Sequence, residues 1–369
     1  MRKIFKSLLV CSILAFAANA SFAQINLASA SGDLKLRIMG RTNLDAGIFL
    51  GEDGDDTDGV VMNDTRLGVQ ASFDEKYSAK IEVCFAQKAI SFRDLWIGYK
   101  IDDAKSLKFG HFFMPYGSKI LGLAYKFVED SPVDYTFCPS RKIGAAYDYT
   151  TDFMKFTAGI FSDGSVDAKG TNQGYNLSAK MILRPTLTDE KVFHVGFAPM
   201  FTKSHNAVSV KGIVPVTFAS ANLVSSKALD AKNQFRYEGE VIYINKRFLW
   251  ETHILGTSIN VRGVDDNYTS WGGFTQFSWH LIGTQQKYNK AGGIVANAPA
   301  KTLELLLRAD YLNLENDLAE FDNGNQFDIT LGLNYFFSKY LNLKFNYVYA
   351  KNNDDKHYNG VQGRLQFSF

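Results

Sequence analysis

Strict alternation of apolar and polar residues over unusually long stretches is the feature that most constrains this chain. The stretch LKLRIMGRTNLDAGIFL, residues 34–50, places apolar side chains at most of its even positions and fills the gaps with Lys35, Arg37, Arg41, Asn43 and Asp45. A repeat of two residues indicates a β-strand with two different faces. Strands of soluble proteins usually have about five or six residues. A strand of this length therefore favours a chain that crosses a membrane.

The alternation recurs in sixteen segments, and the connectors between them alternate in length. Short connectors such as 74–76 and 338–340 interleave with long ones such as 114–140 and 203–234. Short turns at one end and long loops at the other are typical of outer-membrane β-barrels. The predicted strands are 34–50, 64–74, 77–86, 91–101, 105–113, 141–150, 153–161, 175–184, 191–202, 235–244, 247–262, 269–284, 301–315, 326–337, 341–351 and 358–369.

These segments predict an all-β fold, a transmembrane antiparallel barrel of sixteen strands. The sheet must close because an open edge in hydrocarbon would leave backbone groups without hydrogen-bond partners. One face of each strand then contacts the lipid bilayer, and the other lines a solvated interior. An alternative with eighteen strands, which counts 208–218 as strand, stays open because the connector 285–300 is long where a short turn is expected. A soluble β-sandwich would have shorter strands.

The first residues have the composition of a secretory signal. A basic start and an apolar run over 8–18 precede small residues at Ser21 and Ala23. We therefore predict a signal peptide at 1–23, with cleavage after Ala20 as the alternative, and one barrel domain at 24–369. Removal of 1–23 takes away three positive charges and no negative ones, so the net charge changes from +2 to −1. This balance argues against a nucleic-acid partner.

Several motifs, in their order along the chain, resemble the phosphate-selective porin O and P family. LKFGHFFMPYGSK at 107–119 is similar to the family's passage from a strand into a long loop. PSRKIGAAYDY follows at 139–149, with Arg141 and Gly144 in the matching places. TLELLLRADYLNL at 302–314 matches at Glu304 and Arg308, although Leu303 replaces an aromatic residue. The last matches are WHLIGTQQKY at 279–288, which lacks the family's Glu, and ITLGLNYFFSKYLNLKFNYVYA at 329–350.

The resemblance implies a trimeric sixteen-strand porin in the outer membrane of a Gram-negative bacterium. In such porins the third extracellular loop folds into the lumen, and a long periplasmic turn can also fold inward. The connectors 114–140 and 285–300 lie where these elements would be, which favours sixteen strands. The terminal Phe367 and Phe369 look like the signature that barrel-assembly machinery reads.

Pore selectivity depends on diameter and on the charges that point inward. The alternation places fourteen basic and nine acidic residues inside, a mild excess of positive charge that favours anions. An alternative interpretation is that many of these charges pair across strands and only solvate the wall. The predicted pore-lining charges are Arg37, Arg41, Arg66, Lys80, Lys108, Lys142, Arg184, Arg308, Lys344 and Arg364.

The constriction loop, residues 114–140, is expected to set the narrowest point of the pore. It lacks the dense Arg and Lys cluster that phosphate capture favours, so phosphate specificity is not predicted. Its three tyrosines either form a track for polar solutes or pack the loop against the wall. The candidate constriction residues are Tyr116, Lys119, Tyr125, Lys126, Glu129, Asp130, Asp134 and Tyr135.

The sequence thus predicts a porin for passive diffusion of small hydrophilic solutes, with a mild preference for anions and no cofactor or metal. An acidic loop at 51–59 is expected as a solvated loop beside lipopolysaccharide. One competing function is a barrel hydrolase, because Ser278 and His280 share the inward face; no third catalytic group is evident. Another is an adhesin or structural barrel, which would tolerate deletion of 117–138. The sequence does not decide whether Cys84 and Cys138 pair.

Overall fold

The computed structural model describes residues 26–29, 32–51, 56–86, 89–118, 126–167, 172–205, 207–219, 222–319, 324–354 and 356–369. The predicted signal peptide at 1–23 lies outside the described residues, as do Lys119, Tyr125 and residues 52–55 of the acidic loop. No helix within the described ranges is long and apolar enough to cross a bilayer.

The chain forms a closed barrel of sixteen antiparallel strands, with short extra strands beside it. In chain order the strands are β1 (Asn26–Ala28), β2 (Leu34–Leu50), β3 (Thr57–Phe73), β4 (Tyr77–Cys84), β5 (Ser91–Lys100), β6 (Lys105–Phe112), β7 (Lys142–Thr150), β8 (Met154–Ser162), β9 (Tyr175–Leu187), β10 (Lys191–Lys203) and β11 (Ala207–Val208). They continue with β12 (Lys211–Ile213), β13 (Asn222–Ser225), β14 (Leu229–Asn245), β15 (Phe248–Val261), β16 (Asn267–Ile282), β17 (Tyr288–Asn289), β18 (Ile294–Val295), β19 (Thr302–Asn313), β20 (Asn325–Phe336), β21 (Leu341–Asn352) and β22 (His357–Ser368).

The wall of the barrel consists of β2–β10, β14–β16 and β19–β22, and β22 closes the ring by pairing with β2. The predicted number of sixteen strands is confirmed, and the alternative of eighteen is wrong. Residues 208–218 contribute only β12 and the end of β11. The strand β12 pairs with β13 in a separate two-stranded sheet because this connector folds away from the wall.

The two faces of the wall follow the predicted alternation. In β21, for example, Leu343 and Phe345 are exposed on the outer face, whereas Lys344 and Asn346 are buried inside. Outward apolar side chains are what a strand needs in contact with hydrocarbon. The outer face of the wall therefore contacts lipid, and the polar side chains point into the barrel.

Two wall strands begin earlier than the alternation predicts. Strand β3 begins at Thr57 rather than residue 64, and β14 begins at Leu229 rather than 235. Strand β2 pairs with β3 over almost its whole length, with a register shift between Asn43 and Leu44. Val60, Val61 and Met62 are consecutive apolar residues, so the alternation that marks a strand is interrupted there. The first residues of β3 are therefore in a strand because they pair with the long strand β2, although their own sequence does not alternate.

The two ends of the described chain meet along the edge of β2. Strand β1 pairs with Lys35–Arg37 of β2. The adjoining part of this edge is paired with Phe369, which exchanges two backbone hydrogen bonds of 3.0 Å with Gly40. The last and first segments together therefore leave little of this edge unpaired, and we call this region the seam.

Three connectors turn into the barrel. They are the constriction loop, the extracellular connector 204–228, called the strap here, and the periplasmic connector 283–301, called the long turn. The constriction loop contains the helix α1 (Pro132–Phe137), whose first turn is capped where the Val133 N–H donates to Ser131 Oγ at 3.1 Å. A 3-10 turn at Asp317–Ala319 lies in another extracellular connector.

Candidate pore and its constriction

The constriction loop leaves the wall after β6 and is anchored on the opposite side of the ring. Lys126 forms an ion pair with Glu304 of β19. The Val128 N–H donates to Asn346 Oδ1 at 2.6 Å, and Ser131 Oγ donates to Asp310 Oδ1 at 2.5 Å. Charged and polar side chains of the opposite wall thus serve as hydrogen-bond partners for the polar groups of the loop. The inward fold that the resemblance implied is present.

Glu129 lies where the constriction loop, the strap and the wall meet. Its carboxylate accepts hydrogen bonds from Thr217 Oγ1 at 2.7 Å and from Asn63 Nδ2 at 3.2 Å. Arg364 Nη2 lies 3.7 Å away. Burial raises the pKa of the Glu129 carboxyl above its ordinary value. The neighbouring backbone carbonyls of Glu129 and Asp130 accept from Arg308.

Several predicted constriction residues hold the loop in place. Tyr116 is buried, and its hydroxyl donates to the Tyr237 carbonyl at 2.8 Å. Asp134 is buried beside Ser118 and Cys138, and burial raises the pKa of its carboxyl. Lys126 is buried against Glu304. Three of the predicted constriction residues are therefore buried and do not face the open lumen: Tyr116, Lys126 and Asp134. Tyr135, in contrast, is 49% exposed.

The strap crosses the barrel from β10 and β14 to the opposite wall. Gln362 of β22 donates to the Pro215 carbonyl at 2.8 Å and accepts from the Thr217 N–H at 2.9 Å. Val214 and Val216 pack in a buried cluster with Phe49 and Val348. The sequence predicts a long connector at 203–234, with 208–218 as strand only in the eighteen-strand alternative, but it does not predict that the strap folds inward. Its length was the missed signal, because structureless connectors beyond about 15 residues are usually functional.

The long turn closes part of the periplasmic side. Tyr288 Oη lies 2.9 Å from His194 Nδ1, and Arg184 Nη1 donates to the Lys290 carbonyl at 2.7 Å. Val295 packs with Ile242 in a buried apolar cluster. These contacts explain why this connector is long although it lies at the end with short turns.

A chain of alternating charges follows the wall from β2 to the start of β7. Each distance here joins a nitrogen of the cation to a carboxylate oxygen. Asp64 joins Arg41 and Arg66, both at 2.6 Å. Glu82 joins Arg66 at 3.1 Å and Lys80 at 2.5 Å. Asp94 then joins Lys80 at 2.7 Å to Arg141 at 2.6 Å. We call these seven residues the charge ladder.

The charge ladder lines a cavity of about 440 Å³ at the periplasmic side. Arg37 and Lys339 also line this cavity, and neither forms an ion pair within the described part of the chain. The paired cations fit the interpretation that many wall charges bridge strands. The two unpaired cations add to the positive charge of this cavity, where Glu82 and Asp94 are already paired with other cations.

The remaining predicted pore-lining charges point inward, but most are covered. Arg364 is 1% exposed and makes two hydrogen bonds of 2.7 Å to Asp45. Lys142 lies 3.6 Å from Asp163. Lys108 borders a second cavity, of about 540 Å³, at the periplasmic side. The charges buried under inward connectors or beside them are Arg184, Arg308, Lys344 and Arg364.

The alternation missed two acidic residues of the interior, Asp64 and Glu251, which are both buried. The alternation also missed Arg141, which lines the cavity of the charge ladder, so the inward excess of positive charge falls from five (14 − 9) to four (15 − 11). Asp64 was overlooked because it stands at the predicted start of a strand. A longer β3 would have revealed it.

A buried polar cluster lies where side chains of β9, β14 and β15 meet inside the barrel. Oxygen and nitrogen atoms of Glu238, Glu240 and His253 come within 4.8 Å of one another, a geometry that a metal ion can use. The Lys180 ammonium lies 2.9 Å from Glu240 and 3.3 Å from Glu238, however. The Lys180 ammonium and the His253 ring therefore already contact the two carboxylates that a metal ion would bind.

The pair that suggested a hydrolase belongs to the anchor of the constriction loop. Ser278 Oγ donates to Glu304 Oε1 at 2.5 Å and accepts from Gln286 Nε2 at 2.7 Å. His280 Nδ1 lies 2.7 Å from the Thr284 carbonyl. The serine hydroxyl thus faces a carboxylate and an amide. Cys84 and Cys138 are both buried and are not joined to each other by a disulfide.

Solved structures with the same fold are outer-membrane proteins. Outer-membrane-expressed OmpT of Vibrio cholerae has a TM-score of 0.62 at 16% identity, covering 93% of this chain and 100% of its own. An anion-selective porin from Comamonas acidovorans has a TM-score of 0.61 at 12% identity, covering 91% and 100%. OprB of Pseudomonas putida has a TM-score of 0.62 at 9% identity, covering 90% and 94%. No curated protein matches the sequence.

A sequence model of the family described as phosphate-selective porin O and P matches residues 36–369. The match covers the whole wall of the barrel, including the constriction loop, the strap and the long turn. With the closed sixteen-strand ring and the lipid-facing outer surface, it identifies the chain as a porin of the Gram-negative outer membrane for passive diffusion of solutes. The protein belongs to the phosphate-selective porin O and P family.

Proposed function

We propose that this porin prefers small hydrophilic anions and is not an enzyme. The observation that carries the proposal is the cavity of about 440 Å³ lined by the charge ladder together with the unpaired Arg37 and Lys339. Fixed positive charge in a cavity with low-dielectric walls raises the local concentration of anions. The Comamonas acidovorans porin with the same fold is anion-selective, which supports the same preference here.

The pore would work as a homotrimer whose narrowest point the constriction loop sets. In-vitro folded OmpT of Vibrio cholerae, which has the same fold, has been solved in a trimer form, and this supports the assembly. Residues 1–23 would direct export, barrel-assembly machinery would read Phe367 and Phe369, and the extracellular loops would lie beside lipopolysaccharide. The hydrogen bonds of Ser278 to Glu304 and Gln286 speak against a hydrolase.

Planar-bilayer recording in a salt gradient tests the anion preference. We expect the reversal potential of the purified porin to show anion preference, and the double variant Arg37→Gln/Lys339→Gln to reduce it. Neither side chain forms an ion pair within the described residues, so the variant should keep its fold. The control is Lys246→Gln, which removes an exposed cation outside the cavity. A cation preference of the unchanged porin would contradict the proposal.

Deletion of 117–138 tests the function class itself. A porin without its constriction loop should conduct more current per channel, because the element that narrows the lumen is gone. An adhesin or structural barrel would keep its activity after this deletion. Absence of any channels from the folded, unchanged protein would exclude a pore and favour those alternatives.

A further inference from the structure

The second cavity, which Lys108 borders, differs in chemistry from the cavity beside the charge ladder. It has a volume of about 540 Å³, within the range of sites for small organic molecules. Apolar groups form much of its lining, on the wall and on the long turn: Phe112, Pro115, Ala146, Ile182 and Ile294. Six lysines also line it. Lys100, Lys105 and Lys290 are paired with Asp103, Asp102 and Asp152. The other three are Lys108, Lys155 and Lys180.

Lys108 is the cation of this cavity that has no anionic partner. Lys155 pairs with Asp148 at 2.7 Å, and Lys180 pairs with Glu240 at 2.9 Å. Within the described residues, Lys108 forms no hydrogen bond and no ion pair. Its ammonium instead lies 4.9 Å from the centre of the Trp96 ring and 5.3 Å from that of Phe112.

The two aromatic rings fix the position of the Lys108 ammonium but do not neutralise it. A cation over a ring face is attracted by the ring's quadrupole, so the rings hold this ammonium at the edge of an apolar cavity. Asp148 is already occupied by Lys155 and by Thr157 Oγ1, at 2.7 and 2.6 Å. Among the described residues, the site thus offers a free cation beside a hydrocarbon surface.

We infer that this cavity binds small organic carboxylates with an apolar body, and that Lys108 holds the carboxylate. The apolar body would lie against the side chains of Phe112, Pro115 and Ile182. Inorganic phosphate and acetate gain nothing from that lining. The inference rests on the proposed function, because the bound carboxylate would be a solute in transit between the constriction and the periplasm.

Single-channel recording with sodium benzoate as the probe tests this site, with acetate and phosphate as comparison anions. We expect benzoate on the periplasmic side to reduce the chloride current in a saturable manner, at concentrations where acetate has no effect. Lys108→Gln should weaken the benzoate block at least about tenfold, because a hydrogen bond to a charged group is lost. Lys108→Arg should retain most of the block.

Lys339→Gln is the matched control, because it removes one unpaired cation from the other cavity. It should leave the benzoate block unchanged. Equal loss of block in Lys108→Gln and Lys339→Gln would contradict the site and indicate a general effect of charge. Channels that conduct normally but ignore benzoate would also refute it, while leaving the porin function intact. If Lys108→Gln failed to fold, Lys108→Arg and Trp96→Leu would still test the site.

Discussion

Gly40 and Phe369 exchange two backbone hydrogen bonds of 3.0 Å, and the Phe369 ring lies over Gly40 at the seam. A Cβ atom at Gly40 would lie 2.5 Å from Cζ of Phe369. Because Gly40 has no side chain, the Phe369 ring can lie close to its backbone. The last residue of the chain is part of the closed ring.

Gly40→Ala is expected to destabilise the barrel, because the new methyl group displaces the Phe369 ring. The free energy of unfolding should fall by about 1–3 kcal/mol, as measured by urea unfolding in lipid vesicles. Gly239→Ala is the control, since a Cβ atom there meets nothing within 4 Å. Equal stability of the two variants would show that the contact at the seam is unimportant.

Arg364→Gln should be far more harmful, because it leaves Asp45 buried without its cation. Removal of one partner of a buried pair costs about 3–5 kcal/mol. Adding Asp45→Asn should recover part of this loss, so that a double-mutant cycle gives a coupling energy of about 0.5–3 kcal/mol. The exposed pair of Lys290 and Asp152 is the comparison, and its loss should destabilise the barrel far less, because solvent screens exposed charges. Additive effects at Arg364 and Asp45 would contradict the prediction.

Gly360→Val should release the strap from the wall. A Cβ atom at Gly360 would lie 2.5 Å from Val216 Cγ2, so the strap has to move away from β22. We expect a larger single-channel conductance, because the strap occupies part of the lumen. The matched change on the same strand is Gly363→Val, where the nearest atom is the Lys344 carbonyl oxygen at 3.4 Å. An unchanged conductance in Gly360→Val would mean that the strap does not limit the current.

Acidification should strengthen the anion preference at a higher pH than ordinary carboxylates would allow. Burial raises the pKa values of Glu129 and Asp134, so the constriction loop loses these negative charges early as the pH falls. Reversal potentials measured from neutral to acidic pH should therefore shift toward anions. The double variant Glu129→Gln/Asp134→Asn should start at the shifted value and change less.

Asp102→Asn is the control for this titration. The hydrogen bond from Lys105 lowers the pKa of Asp102, so its carboxylate stays ionised over the same interval. The control should show the same pH dependence as the unchanged porin. If the double variant also kept that dependence, other groups would be responsible for it.

The wall could be predicted from the sequence because lipid imposes one rule on every strand. Leu343 and Phe345 must face hydrocarbon, so their neighbours Lys344 and Asn346 must face inward, and the structure agrees. No such rule acts inside the barrel. The partner of an inward cation depends on which connector packs across the lumen. Arg308 of the wall, for example, donates to the backbone carbonyls of Glu129 and Asp130 in the constriction loop.

The strap illustrates the limit most clearly. Val214 and Val216 have the apolar character of lipid-facing residues, but they contact Phe49 and Val348 inside the barrel. The apolar character of a residue does not indicate whether its side chain contacts lipid or a buried apolar cluster inside the barrel. The inward fold of 114–140, in contrast, was accessible from the family resemblance, since few residues within the loop itself indicate it.

The seam has a consequence for biosynthesis. Because β22 closes the ring on β2 and Phe369 extends that pairing, the cylinder cannot close before β22 has been synthesised, however well the other strands have assembled. A chain interrupted before β22 would leave the edge of β2 unpaired, and backbone groups at an open edge find no hydrogen-bond partners in hydrocarbon. The arrangement makes synthesis of β22 a condition for insertion as a closed barrel.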